Sequence, residues 1–371
     1  MAYINSIEIS KFRVIKELSV SHFSNINLIV GDNNSGKTTF LEALQLLFVN
    51  PSIESIKRVF ESRTAINPRN DFYTSFIKMF NNEQNNKNLS FSLFANTNQG
   101  EYDFELKGKE EDVFTESIID EIKVPRIKKI QLKKQPNFYP EMTKLFTGEI
   151  ITKSENNVIE KEVRCTALDR IISSFDSKKE VQYLPSFGHM RSDLLQNIVN
   201  NLEYKKLTID ILRKFDESIE DICYTKTDND IFLETIITKK GVNMPFSVYG
   251  DGIKKILYIL NRIFDAKDSV LLIDEIETGL HKKYYDLLFP VVFSLAEKFN
   301  TQLFIATHSR EVIESILKFG DYDNKQHDKD PIRVITLKKI KEGDSTNVIC
   351  RNITGKYAYE NKKAFDFEVR L

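Results

Sequence analysis

Tryptophan is absent from this chain, and its 371 residues hold only three cysteines, Cys165, Cys223 and Cys350. Their odd number, wide spacing and lack of a C-x-x-C pair argue against a disulfide framework or a zinc site and fit a reducing, cytoplasmic compartment. No apolar run reaches the ~18 residues that a membrane span requires, so no membrane partner is expected. The start of the chain, Met1 to Ser10, alternates like a strand and lacks the basic and apolar blocks of a signal peptide. An excess of either charge is missing as well: Lys plus Arg number 53 and Asp plus Glu 54, a formal net charge of -1. The global field therefore offers nucleic acid no attraction, and any such contact must come from a local basic patch. There is no internal repeat and no long heptad run.

What is present suits a soluble chain with a sizeable core. Hydrophobic residues make up 41% and charged residues 29%. The length allows two domains or one domain with a large insertion.

The most informative stretch is Gly31-Asp-Asn-Asn-Ser-Gly-Lys-Thr38. It follows the apolar run Ile26 to Val30 and leads into a helical pattern from Thr39 to Phe48. A strand, a Gly-rich loop and a helix start, spaced G-x-x-x-x-G-K-[ST], are what a nucleoside-triphosphate phosphate cradle needs. Gly31 and Gly36 let the backbone turn and bring its N–H groups to the phosphates. The helix beginning near Lys37 aims its positive end at the same anion. Lys37 would reach the outer phosphates, and the Thr38 hydroxyl would ligate Mg2+. Asn33, Asn34, Ser35 and Thr39 complete the candidate ATP-binding segment.

Two later strands end in polar groups. Val270-Leu-Leu-Ile-Asp-Glu275 is four apolar residues and then two acids, the pattern of a fully buried strand that opens onto a polar crevice. Ligands bind at such carboxyl ends in open α/β sheets. Asp274 is assigned to the Mg2+ shell, and Glu275 to orienting and deprotonating the attacking water. Gln302-Leu-Phe-Ile-Ala-Thr-His308-Ser has the same shape. A lone histidine is usually structural, but on the strand after the acidic one His308 is placed to bond a γ-phosphate.

Ser247-Val-Tyr-Gly-Asp-Gly-Ile-Lys-Lys255 opens the helix before the acidic strand. Ser247, Gly250 and Gly252 at a helix start make a second anion site. One chain holding one nucleotide does not need two such sites, but two chains arranged head to tail do. The bland alternative is an ordinary Gly-containing cap.

Elsewhere, strands are expected at Ala2–Ile9, near Val14–Leu18, at Val181–Leu184 and at Ile231–Ile237. A hairpin is expected from Leu89–Ala95 and Glu101–Leu106, with short strands and loops from Ile118 to Val163. Helices are expected at Ile53–Phe60, Phe72–Phe80, Gly252–Phe264 and Lys282–Lys298. Asn81–Asn88 reads as a loop. Arg191 to Phe215 carries a helical apolar stripe, read as a core-facing lobe inserted between two halves of a sheet. Alternating strands and helices in the second half argue for a mainly parallel sheet with helices on its faces.

Taken in order, these segments resemble the ABC-type ATPases of the Rad50, SMC and OLD group, and most closely stand-alone OLD-like AAA ATPases of bacteria. The resemblance covers roughly residues 1–60 and 180–315. Phe12-Arg13 is similar to the group's N-terminal Phe-Arg, which implies that Arg13 reaches the phosphates. Tyr249 to Lys255 is similar to its shortened signature, Ile273 to His281 to its acidic strand, and Ala306 to Ser309 to its switch. The resemblance implies an α/β fold, an ABC-type P-loop ATPase head with a mixed sheet, an antiparallel β subdomain and an inserted helical lobe. It implies ATP and Mg2+ as cofactors and a homodimer or higher oligomer. The expected divisions are 1–180 for the first part of the head, 181–225 for the lobe, 226–315 for the second part and 316–371 for a tail.

Three departures stand out. Asp251 replaces the second glycine of the signature. The hinge glutamine has no assigned position, although the loop after Leu184 is where it should lie, and there is no coiled-coil arm. The tail, with a polar run Asp321–Asp330 and a strand Ile332–Leu337, is too short for the TOPRIM nuclease domain of OLD proteins. It resembles ATPases that act beside a separate TOPRIM-like nuclease or toxin in phage defence. The implied function is nucleotide-driven oligomerisation that controls such an effector. A Rad50-like DNA clamp is the alternative, supported by Lys128-Lys129 and Lys133-Lys134, which read otherwise as a solvated face. A self-contained nuclease is disfavoured by the short tail.

Overall fold

A computed structural model describes residues 3–63, 72–81, 88–115, 117, 142–155, 157–166, 181–190, 194–226, 230, 232–324, 329–343 and 345–361. Its first part runs β1 (Ile4–Phe12), β2 (Ile15–Ser21), β3 (Ile26–Val30), α1 (Lys37–Leu47), α2 (Ile53–Arg63) and α3 (Phe72–Ile77). Four long strands follow: β4 (Asn88–Thr97), β5 (Gly100–Phe114), β6 (Met142–Ser154) and β7 (Asn157–Thr166). Then come β8 (Val181–Leu184), α4 (Gln196–Val199), α5 (Leu202–Leu212), β9 (Ile219–Lys226), β10 (Phe232–Thr238) and β11 (Asn243–Pro245). The last part holds α6 (Asp251–Asp265), β12 (Val270–Ile273), α7 (Tyr285–Lys298), β13 (Gln302–Thr307), α8 (Arg310–Phe319), β14 (Ile332–Glu342), β15 (Ser345–Thr354) and α9 (Gly355–Glu360).

The apolar strands make the centre. Strands β3, β12 and β13 are buried at every position, because each serves two cores at once. Alternate residues point to opposite faces of a sheet. Leu28, Val30, Leu271, Ile273, Leu303 and Ile305 feed one core, shared with helices α6, α7 and α8. Ile29, Val270, Leu272, Phe304 and Ala306 feed the other, shared with α1 and the first sheet. The central sheet has the order β15-β14-β3-β13-β12-β8, parallel except for β15. Two polar side chains in these strands are satisfied by backbone. Asn27 Nδ2 donates to Ser24 O at 2.7 Å and Leu303 O at 3.1 Å. Gln302 accepts from the Tyr3 and Ile4 N–H groups and donates to Ile4 O, which stitches β1 to the base of β13.

An antiparallel sheet of order β2-β1-β4-β5-β6-β7 lies over α1 on the second core. The expected hairpin is there. Strands β4 and β5 meet at Thr97↔Gly100, with Gly100 at φ 111 where a side chain would be strained. Strands β6 and β7 are longer than the short pieces expected, since β6 pairs with β5 along its whole length. Residues 118–141, including the lysine pairs at 128–129 and 133–134, lie outside the described residues.

The single helical stripe expected over 191–215 is two helices. The chain breaks at Asn200–Asn201, where the Asn201 side chain accepts from the N–H groups of Glu203 and Tyr204 and caps α5. Residues 191–193 lie outside the described ones. Strand β10 does not enter the parallel sheet. It joins β9 and β11 in a separate small antiparallel sheet. The segment after residue 316, expected as a tail, completes the central sheet instead, through β14 and β15. Among the described residues no helix is long and apolar enough to cross a membrane.

Candidate functional site

The loop after β3 turns as the glycines permit. Gly31 has φ 150, Asn34 φ 64 and Gly36 φ 101. Gly31 has no room for a side chain: a Cβ there would lie 2.3 Å from Leu337 O and 2.6 Å from Ser35 Oγ. Helix α1 starts at Lys37 with no side-chain cap, so its first N–H groups face the loop's concavity. Lys37 is buried, and its Nζ donates to Gly31 O and Asp32 O, each at 2.7 Å. Burial holds its pKa below the usual lysine value, opposed by the charges of Asp274, Glu275, Glu277 and Asp32. An anion entering the loop would restore that lost solvation.

Across the loop, the Thr38 hydroxyl donates to Asp274 Oδ2 at 3.0 Å, and the Tyr183 hydroxyl donates to the same oxygen at 3.1 Å. Asp274 is 7% exposed, and its Oδ1 has no hydrogen-bond partner among the described residues. A buried carboxylate oxygen with nothing to accept, beside a threonine hydroxyl, is a hard-oxygen donor set that fits Mg2+. When bound there, Mg2+ would neutralise charge on the outer phosphates. Glu275 sits at φ 45, which turns the chain out of β12, and it lines the same cavity. His308, just beyond β13, has Nδ1 3.1 Å from Glu277 Oε1. The His308 backbone N–H donates to that oxygen as well, also at 3.1 Å.

The cavity, about 600 Å³, gathers Asn33, Asn34, Gly36, Lys37, Thr38, Thr39, Asp274, Glu275 and His308 from residues far apart in sequence. Gly31 and Ser35 shape the loop from behind, Ser35 being 3% exposed. Arg13 is elsewhere. Its Nε lies 2.9 Å from Glu42 Oε2 on α1, and its guanidinium sits 4.9 Å from the Phe60 ring centre. Glu42 is a buried carboxylate that needs a cation, so Arg13 is held against α1 and does not line the cavity.

Ser247, Gly250 and Gly252 also stand apart from this cavity, at the start of α6. Gly250 caps that helix at φ -64 and ψ 152 without a side-chain hydrogen bond. These angles suit any residue, and a Cβ on Gly250 would meet nothing within 4 Å. No local strain demands a glycine here. Asp251, the departure from the signature, lies 3.6 Å from Lys254 on its own helix.

Four groups beside the site carry no role in the sequence reading, although Glu277 and Lys255 lie within the family-like segments. Tyr183 sits in an unremarkable strand, and Lys339 among other lysines of β14. Glu277 lies in the loop after the acids, and Lys255 ends the signature-like run. Lys255 is fully buried, donates to Ser186 O at 2.8 Å, and is pushed by burial down to about 8. Next to it His189 is buried, which together with the Lys255 charge lowers its pKa.

The depressed Lys255 value gives a test with a definite sign. Between pH 8 and 10.5 the unfolded chain holds a proton that the folded chain has released. Stability therefore rises with pH across that window, by about 3 kcal/mol from this group. Lys255→Met should remove the rise. Urea unfolding at both pH values should show wild type gaining about 3 kcal/mol relative to the variant at the higher pH.

A family profile described as "AAA domain, putative AbiEii toxin, Type IV TA system" matches residues 26–314. The chain is 27% identical over 385 aligned positions to an "ATP/GTP phosphatase" of Helicobacter pylori, covering 97% of this chain and 99% of that protein. Two solved structures share its fold. One is an Smc head bound to the C-winged helix domain of ScpA, with a TM-score of 0.50, 11% identity, and coverage of 96% of this chain and 99% of that one. The other is an Smc head with an extended coiled coil bound to the C-terminal domain of ScpA from Pyrococcus furiosus. It has a TM-score of 0.50, 12% identity, and coverage of 99% of this chain and 100% of that one. At such identities the likeness is one of fold: a mixed α/β head of ABC type.

Proposed function

The chain belongs to the AAA domain family described as a putative AbiEii toxin of type IV toxin–antitoxin systems and is an ATPase, and on that premise we propose that two copies close around ATP to control a separate effector. Lys37 holds the outer phosphates, Thr38 and Asp274 hold Mg2+, Glu275 orients and deprotonates the attacking water, and His308 bonds the γ-phosphate. The tip of α6 from the second copy seals the pocket. The observation that carries this reading is Gly250: a helix cap with no cap bond, no conformational need for glycine and open space around its Cβ position. Leaving off the side chain there lets a foreign phosphate approach the uncapped N–H groups.

The effector is a TOPRIM-like nuclease or a toxin, and the setting is phage defence. Support for a toxin–antitoxin setting comes from the family's description, "putative AbiEii toxin, Type IV TA system". Closure on ATP would favour the effector-binding shape only through contacts that the open form lacks.

Gly250→Asp tests the composite pocket. The substitution fits without strain and places a negative charge where the neighbour's γ-phosphate would sit. Light scattering on a sizing column should show Mg-ATP-dependent dimers for wild type and none for the variant. Turnover should fall at least about tenfold, while ATP binding to the single chain is retained. A variant that still dimerises and hydrolyses ATP normally would remove the shared site.

A further inference from the structure

Strand β14 does more than complete the sheet. It pairs with β3 from Ile332↔Ile26 to Thr336↔Val30, and then continues past the end of β3 with only β15 beside it. Lys339 stands three residues above that last pair, ~10 Å beyond the point where β3 becomes the phosphate loop. This overhang is pressed against the loop. Leu337 O is the atom that forbids a Cβ on Gly31, and Val348, opposite Lys339 on β15, would lie 3.3 Å from a Cβ on Gly36. The Lys339 side chain lines the same cavity as Lys37, Thr38, Asp274, Glu275 and His308. It is exposed and makes no ion pair with another described residue.

The sheet order sets which end of the cavity it occupies. Asp274 and Glu275 follow β12, two strands to one side of β3, and His308 follows β13 between them. Lys339 is on the other side of β3, on β14. Three strand spacings, ~14 Å, separate β12 from β14. A triphosphate whose γ-end faces the carboxylates and His308 directs its α-phosphate toward the opposite wall.

We propose that Lys339 binds the α-phosphate of a nucleoside di- or triphosphate held by the loop. The contact is a charge-assisted hydrogen bond to a group common to ADP and ATP, and no proton moves. It makes Lys339 a nucleotide-binding residue, not a catalytic one. The inference rests on the ATP site proposed above.

Calorimetric titration of the full chain with ATP and with ADP, both with Mg2+, tests it. Lys339→Ala should weaken both nucleotides about tenfold, and Lys339→Arg should restore both to within about threefold. Lys338→Ala, on the opposite face of β14, should change neither. A loss confined to ATP would place Lys339 at the γ-end and overturn the proposal. No loss with either nucleotide, while Lys37→Ala still weakens both, would overturn it and leave the loop as the site. If Lys37→Ala also changed nothing, the nucleotide site itself would be refuted, and Lys339's role with it.

Discussion

Replacing Glu275 with glutamine is expected to leave Mg-ATP binding intact and to cut turnover by about 10²–10⁴-fold, the usual cost of a missing general base. The change is isosteric, so the turn at φ 45 and the cavity wall are kept. What is lost, on the proposed role, is the acceptor for the water's proton. Glu275 suits that task because it lines the cavity and its Oε2 accepts a long hydrogen bond, 3.5 Å, from Thr278 Oγ1. Asp274 does not, since Thr38 and Tyr183 already donate to one of its oxygens. Single-turnover hydrolysis separates binding from chemistry. Normal turnover by this variant would move the base to another group. The same variant should trap any ATP-closed dimer, so it is the form to use for sizing.

Lys37→Ala should lower ATP affinity by about one to two decades, because a charge-assisted hydrogen bond contributes about 1.5–3 kcal/mol. The lysine's present bonds explain why so much depends on one side chain. Its Nζ is held by Gly31 O and Asp32 O inside the loop, and burial already penalises its charge. An arriving phosphate finds the ammonium fixed in place and poorly solvated, so little ordering remains to be done. Titration calorimetry with ATP measures the loss. An affinity within a factor of two of wild type would mean that the phosphates do not rest on this loop.

Much of this molecule is readable before it folds. The runs at Ile26, Val270 and Gln302 announce strands buried on both faces, because only such strands can be apolar at consecutive positions. Gly36, Lys37, Thr38, Asp274, Glu275 and His308 are tied to strand ends by local pattern alone, and the cavity brings them together. Local pattern is silent where the sheet order decides. Tyr183 reaches Asp274, and Lys339 the cavity, only because β8 lies beside β12 and β14 beside β3. No periodicity could place β10 in a separate small sheet, since a half-buried strand looks alike in either. The expectation for Arg13 was of another kind. It rested on family likeness, and here the buried Glu42 carboxylate holds the guanidinium. The break at Asn200–Asn201 was visible in principle: an asparagine followed by Glu203 is a helix start.

The wall formed by β14 and β15 sets a timetable for biosynthesis. The phosphate loop leaves the ribosome early, but the strands that flank it are made some 300 residues later, roughly half a minute at ordinary elongation rates. Until then one side of the loop is bare, with Gly31 and Gly36 lacking their neighbours Leu337 and Val348. A nascent chain is therefore expected to bind ATP weakly until the hairpin emerges.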